Sequence, residues 1–405
     1  RSRGLGDVYK RQPRSWTTKW PANAPLTRTK QRCLPLPDSA RCAYLGGMNG
    51  LLQGLKVLDL SSVLAGPLTG SFLAECGADV LKVEAPGGDV TRTWRAQGEA
   101  TDQTSAYFSS ANTGKRVATC DLKSEQGRAW LRDQLADTDI LLQNMKWRDL
   151  ERMGLLPHEL RTSFPSLVHI RLVGHDMDPT RLAYDVVIQA ETGFMSMNGH
   201  PDRPPARMPV ALMDILASHQ MRAAVLGGLY QREKTGVGWY AEVSLLGSGL
   251  TALANQGTNA LINGKTPRRQ GSSHPNIAPY GDLLQCADGQ LVLAVGSDAQ
   301  FEGLCRTLGM EGLLSEKAFH TNAARVIHRA RLMDALNEAS KDWAWKDLHH
   351  ALHGSRVPAG AVLDVMEALR QPGVEARYVV EEEGLRRLKT AAIHVGGFQA
   401  GTDTA

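Results

Sequence analysis

Between Lys56 and Glu84 the chain spells out one strand–helix–strand unit. Lys56-Val-Leu-Asp-Leu60 reads as a buried strand, and residues 61–66 as a turn. Pro67 stands where a helix's first residue tolerates proline, because the missing N–H has no intrahelical acceptor there. The helix runs to about Cys76, Gly77 stops it, and Asp79–Glu84 is the second strand. Two strands joined through a helix within about 30 residues lie parallel, with a right-handed crossover. This part of the chain is therefore committed to an α/β sheet.

The alternation continues. Strands are expected at 116–122, 139–143 and 167–173, with helices at 124–136 and 147–153 between them. Asp214 opens a long apolar-faced helix that ends at Lys234-Thr-Gly236. Such alternation argues a doubly wound α/β sheet. After Gly236 the texture changes. Residues 264–280 are a loop rich in Gly, Ser, Pro and Arg, and Ala287-Asp-Gly289 between two apolar runs signals a hairpin. A second domain is expected over 239–335. The strand-like 357–362 is expected to return to the first.

The 405 residues carry a formal charge of +4, but its distribution is uneven. Residues 1–47 hold ten Lys/Arg and two Asp/Glu, which leaves 36 basic and 40 acidic groups in the rest. The body is mildly acidic and gives no compositional reason to expect nucleic-acid binding. Six scattered cysteines without a CxxC pair argue against a disulfide scaffold or zinc ribbon and favour a reducing compartment. The first 47 residues have no periodicity and several prolines, so they read as unfolded. The opening Arg1–Gln12 resembles translated sequencing-adaptor sequence. A transit peptide and a basic RNA-binding arm are the rival readings. The first organised pattern follows Met48. The expected location is cytoplasmic, or the mitochondrial matrix if 1–47 is a transit peptide.

Known site motifs are mostly lacking. Ser61-Ser-Val-Leu-Ala-Gly-Pro67 is not the three-glycine turn that dinucleotides need, although Glu84 ends the second strand where a ribose-binding acid would sit. Twelve histidines show no metal spacing, so no metal is expected. No GxSxG elbow or P-loop occurs. Asp214 is the most informative acid. One reading makes it an N-cap whose carboxylate accepts from free backbone N–H groups. The other makes it a nucleophile, partly desolvated beside Met213 and Ile215 at a helix N-terminus.

Further patterns occur in order along the chain: Leu64-Ala-Gly-Pro67, Gly77–Glu84, Asp121-Leu-Lys123, Arg152-Met-Gly154, Ala183-Tyr-Asp185, Gln189-Ala190, Thr192-Gly193, Pro204-Pro205, Asp214, Arg232 with Lys234-Thr-Gly236, and Asp288-Gly289. In that order, over roughly 50–400, they resemble the family III CoA-transferases, the CaiB/BaiF group that includes formyl-CoA transferase. The resemblance implies a Rossmann-like large domain formed by both chain ends, here 48–238 and 336–405. It also implies a smaller α+β domain between them and two chains interlocked as a homodimer. The reaction it implies moves CoA from an acyl-CoA to a free carboxylic acid through an anhydride and then a thioester of Asp214. Neither ATP nor metal takes part, and neither membrane nor nucleic acid is a partner.

The CoA contacts carried over by the resemblance are Val63, Ala65, Cys120, Leu122, Asn144, Met145 and Arg152. Asn144 suits a ribose or adenine edge, and Arg152 suits a phosphate. Ala85 and Ala183 stand where formyl-CoA transferase has arginine and lysine, and Arg92 or Arg181 is expected to supply the charge. Gly271-Ser-Ser-His-Pro275 replaces that enzyme's glycine-rich loop, so oxalate and formate are not favoured acids. Arg268-Arg269 in the 264–280 loop reads either as a hint of an acidic acceptor such as a dicarboxylate or as a solvated loop. Two alternatives remain: an α-methylacyl-CoA racemase and a non-catalytic CoA-binding protein on the same fold. The racemases place a histidine before the Asp185-like acid. Here that residue is Tyr184, a poor base near its normal pKa at neutral pH.

Overall fold

The computed structural model describes residues 50–393, except 179 and 383. The expectations for residues 1–47 lie outside the described residues. Six strands form one parallel sheet: β1 (Lys56–Asp59), β2 (Asp79–Glu84), β3 (Arg116–Thr119), β4 (Ile140–Gln143), β5 (Val168–Val173) and β6 (Trp239–Ser244). Their order is β3-β2-β1-β4-β5-β6. The helices that connect and cover them are α1 (Ala65–Glu75), α2 (Ala106–Asn112), α3 (Glu125–Leu135), α4 (Trp147–Met153), α5 (Pro157–Ser163), α6 (Asp185–Glu191), α7 (Phe194–Met197) and α8 (Leu212–Thr235).

Alternation along the strands splits the core in two. Val57, Val80, Ile140, Ile170 and Val243 face α1 and α8 and bury Phe72, Leu73, Met213 and Met221. Leu58, Val83 and Leu141 face the other way, onto Leu131, Leu135, Leu150 and Leu160 of α3, α4 and α5. The strand order reverses between β1 and β4. The carboxyl ends of that adjacent pair form the crevice where open parallel sheets take ligands.

The sheet takes one strand more than the sequence pattern assigns it. Trp239–Ser244, expected to begin the second domain, pairs in parallel with β5 along its whole length. The change of texture at Gly236 marks a helix end, with Gly236 in the left-handed region at φ 71°. Gly238 then lets the chain pass close, since a Cβ there would lie 2.1 Å from the Leu167 carbonyl oxygen.

Beyond β6 come α9 (Leu245–Ala252) and α10 (Ala254–Asn263), then the expected hairpin of β7 (Tyr280–Gln285) and β8 (Gln290–Ala294). α11 (Asp298–Thr307), α12 (Asn322–Ile327), α13 (Arg329–Ser340) and α14 (Trp345–Gly354) follow. The segment 357–362 does not return to the large sheet. Its strand β9 (Ala359–Ala361) pairs antiparallel with β8. Val357 buries in one cluster with Leu291, Leu293, Leu348 and Leu352, and that shared apolar face keeps the segment on the small sheet.

The return to the large sheet's layer comes later, at the hairpin β10 (Val379–Glu382) and β11 (Leu385–Leu388). Glu75 at the end of α1 holds it. The Glu75 carboxylate pairs with Arg387 and accepts from the Thr390 N–H at 3.1 Å and the Thr390 hydroxyl at 2.8 Å.

Candidate active site

The β1–α1 turn is built on buried charge. The Asp59 carboxylate accepts the Ser61 N–H at 3.0 Å and pairs with Lys115 Nζ at 2.8 Å. Lys115 also donates to the Pro67 carbonyl at 2.7 Å and to Asn112 Oδ1 at 3.1 Å. Lys82 donates to the Ser61 carbonyl at 2.9 Å and pairs with Asp89 at 3.0 Å. Burial pushes Asp59 up, but the charges of Lys115 and Lys82 outweigh it and hold the carboxyl below the usual range. Gly66 is required, because a Cβ there would meet Ser61 Oγ at 2.3 Å. Val63 sits at φ 75°, the left-handed region that β-branched residues avoid. The bonds around the turn over-determine that conformation and aim the start of α1.

What α1 points at is Asp214. The Ala65 N–H, first in the helix, faces the Asp214 carboxylate closely enough to favour its charged form. Asp214 is 9% exposed. It is not the N-cap, since Ala211 holds that position and Asp214 is the third residue of α8. The capping bond comes from another helix. Asp185, first in α6, accepts the Met213 N–H at 2.7 Å with one oxygen and the Gln189 amide at 2.7 Å with the other. Asp214 is thereby left free of capping duty. Burial, and then the charge of Asp185, pushes its pKa up to about 6 against the Ala65 N–H. Tyr107 of α2 lies in the same field. Burial and then the charges of Asp214 and Asp185 push its hydroxyl up to about 12.

The residues expected to contact CoA come together at one edge of the sheet. Val63 and Ala65 follow β1, Cys120 and Leu122 follow β3, Asn144 and Met145 follow β4, and Arg152 lies in α4. Their local roles differ. Asn144 donates to the Ser62 carbonyl at 3.0 Å and accepts the Ser62 N–H at 3.2 Å, so its amide already clamps the turn. Cys120, Leu122 and Met145 pack on the leucine cluster beneath α3 and α4. Arg152 is exposed, with no ion-pair partner among the described residues.

The two arginines expected to replace the missing cations are already engaged. Arg92 pairs with Glu84 through bonds of 2.7 and 2.8 Å and stacks on Phe108, and Arg181 pairs with Glu191. Arg269 donates to the carbonyls of Ser196 and His200 at 3.2 and 3.3 Å, which gives it a local structural role. Among the described residues no group of three His, Cys, Asp or Glu could hold a metal ion. None of their helices is long and apolar enough to cross a membrane.

The family description for CoA-transferase family III matches residues 52–403. The chain belongs to CoA-transferase family III. The succinate–glutarate CoA-transferase of Agrobacterium fabrum is 37% identical over 336 residues, covering 80% of this chain and 83% of that protein. The acetyl-CoA:oxalate CoA-transferase of Acetobacter aceti is 33% identical over 357 residues, 86% of this chain and 90% of that one. A crystal structure of a CaiB/BaiF family protein from Brucella suis is similar at a TM-score of 0.78 and 37% identity, over 87% of this chain and 94% of that one. The enzyme is thus a CoA-transferase, and its family supports CoA transfer as the activity of this fold.

Sequence reasoning missed Tyr107 and the part played by Asp185. Helix α2 was not expected at all, because Ala-Tyr-Phe-Ser-Ser-Ala-Asn is short and weakly periodic. The signal available for it was Ser105, which caps the helix through the Phe108 N–H at 3.1 Å.

Proposed function

We propose that the enzyme moves CoA from an acyl-CoA to a free carboxylic acid through covalent intermediates on Asp214. The observation that carries this reading is the buried Asp214 carboxylate facing the first N–H of α1. In the first step a carboxylate oxygen attacks the thioester carbonyl, the C–S bond breaks, and CoA leaves as thiolate. The acyl group and Asp214 then share an anhydride. The thiolate attacks the aspartyl carbonyl, releasing the donor acid and leaving an aspartyl-CoA thioester. The acceptor carboxylate attacks that thioester, and the returning thiolate takes the acceptor's acyl group, regenerating Asp214. Each step passes through an oxyanion. Ala65 and Gly66, with no acceptor inside α1, are donors suited to it, and Pro67 brings no competing N–H.

CoA lies along the carboxyl edge of the sheet over Val63, Ala65, Cys120, Leu122, Met145 and Arg152. Asn144 acts there by fixing the turn. The acid of the Asp185 position follows Tyr184, which is 60% exposed, so no histidine stands immediately before that acid as it does in the racemases.

Wild-type enzyme given an acyl-CoA without acceptor should gain an acyl or CoA mass on the peptide holding Asp214, and hydroxylamine should remove it. An unmodified peptide under turnover conditions would overturn the mechanism.

The large domain formed by both ends of the chain and the interlocked homodimer belong to the same proposal. The late return of β10 and β11 onto α1 and α8 supports it. Linked chains cannot part without unfolding, so dilution should give no folded monomer. A stable monomer by light scattering at nanomolar concentration would refute the interlocked dimer.

A further inference from the structure

Beside Asp214 lies a cavity of about 750 Å³. Its near end is lined by Leu64, which precedes Ala65, by Ala211 and Ile215, which lie on either side of Asp214 at the start of α8, and by Tyr107. Its walls are largely apolar, with Leu68 and Leu388 further along. Helices α1 and α8 both start at the Asp214 end and run together, joined midway by Thr69 and Ser218, whose hydroxyls are 3.1 Å apart.

The far end is basic. Arg222 and Arg387 line it, and each is 7% exposed. Arg222 donates to the Thr390 carbonyl at 2.7 Å, while Arg387 pairs with Glu75. The Nε atoms of both arginines are buried without an acceptor. Glu75 is thus paired with Arg387 alone, while Arg222 also donates to the Leu68 carbonyl at 3.5 Å and lies over the Phe72 ring. Exposed Lys389 adds a third cation at the same end, with no ion-pair partner among the described residues. Burial pushes Arg222 down to about 10, against the partial compensation of Glu75. A buried cation compensated only in part is expensive unless an anion completes it.

We infer that this cavity holds the carbon chain of the acid substrate and that Arg222 and Arg387 bind a second carboxylate at its far end. The inference rests on Asp214 as the reacting group and names the substrate class, a dicarboxylic acid with an apolar spacer. Asp214 and Arg222 are eight residues apart on one helix, about 12 Å along its axis. The arginine side chain leans back towards the helix N-terminus, which shortens the gap to be spanned. Oxalate, with no spacer, cannot touch both ends, whereas a diacid of glutarate's length is suited to the span.

The test compares glutarate with pentanoate, which has the same length and one charge fewer. Wild type should prefer glutarate as acceptor. Arg222→Gln should lower kcat/KM for glutarate by about 10- to 100-fold, the scale of one charged hydrogen bond, and leave pentanoate within about twofold. An equal fall for both acids, or an unchanged ratio, would overturn the assignment. Should Arg222→Gln fail to fold, Leu388→Trp fills the cavity without removing a charge, and it should cut glutarate use while sparing acetate. Equal effects on the two acids there would also overturn it.

Calorimetry separates this inference from the covalent mechanism. Glutarate should bind the Asp214→Asn protein, and adding Arg222→Gln should weaken that binding by the same 10- to 100-fold. Binding indifferent to Arg222 refutes the diacid site. Arg222-dependent binding alongside a failed adduct experiment refutes only the mechanism.

Discussion

Asp214→Asn is expected to lower CoA transfer by at least about a thousandfold, the scale seen when a nucleophile is removed, and to raise the melting temperature. The two effects have one cause. Folding moves the Asp214 carboxyl from its ordinary value of 3.8 up to about 6, first by burial and then by the charge of Asp185. A raised folded pKa favours the protonated form. Its favourable contribution is complete below pH 3.8 and is lost as pH rises through about 6, a penalty of roughly 3 kcal/mol above that range. Asparagine keeps the shape and an oxygen for the Ala65 N–H, but carries no charge to desolvate. The variant should therefore be more stable than wild type at pH 7 and should lose this part of the pH dependence between about 4 and 6. Wild-type kcat/KM should fall about tenfold per pH unit below about 6, because only the ionised carboxylate attacks. Wild-type turnover by Asp214→Asn would overturn the assignment. A lower melting temperature would overturn the electrostatic account alone.

Lys115→Ala should be the most damaging of the charge deletions beneath the turn. The side chains of Lys115 and Asp59 are both 0% exposed. Removing the ammonium leaves a buried carboxylate facing only Lys82 and the donors of Ser61, and the Pro67 carbonyl loses its donor. Breaking a buried pair in this way costs about 3–5 kcal/mol. The double variant Asp59→Asn with Lys115→Met should recover most of that loss, since neither charge then remains unpaired. Melting measured at one protein concentration checks both results. A double variant as unstable as the single one would show that the loss comes from packing. Activity should follow the turn as well as the stability, because Asp59, Lys82 and Lys115 together aim the Ala65 N–H at Asp214.

The strand–helix–strand unit was legible because its signals are local. Apolar runs of strand length, Pro67 at a helix start and Gly77 at its end each act within a few residues, and β1, α1 and β2 formed close to where those signals placed them. Asp214 could be singled out for the same reason, as an acid in an apolar approach to a long helix. Its role could not be divided from capping by sequence spacing alone. That division was made by Asp185, 28 residues away in sequence, whose carboxylate accepts the Met213 N–H.

The misplaced segments failed for a related reason. Gly236 announces a helix end, and whether the next strand joins the old sheet or a new one depends on which edge is open. The edge of β5 was open, so 239–244 filled it. Residues 357–362 went to β8 because the apolar faces of α14 and Val357 needed the same cover. Arg92 and Arg181 looked free in the sequence, and only the fold brought Glu84 and Glu191 to them.

By itself, then, the sequence determined the parallel α/β sheet, the turn before α1 and the acid that opens α8. These rest on periodicity, caps and glycines, which operate over one or two turns of chain. The tertiary structure decided which donor meets Asp214, how far its proton affinity rises, and where two buried arginines meet at one end of a cavity. Each of these depends on burial and on charges from distant segments, and desolvation exists only once those segments have packed together.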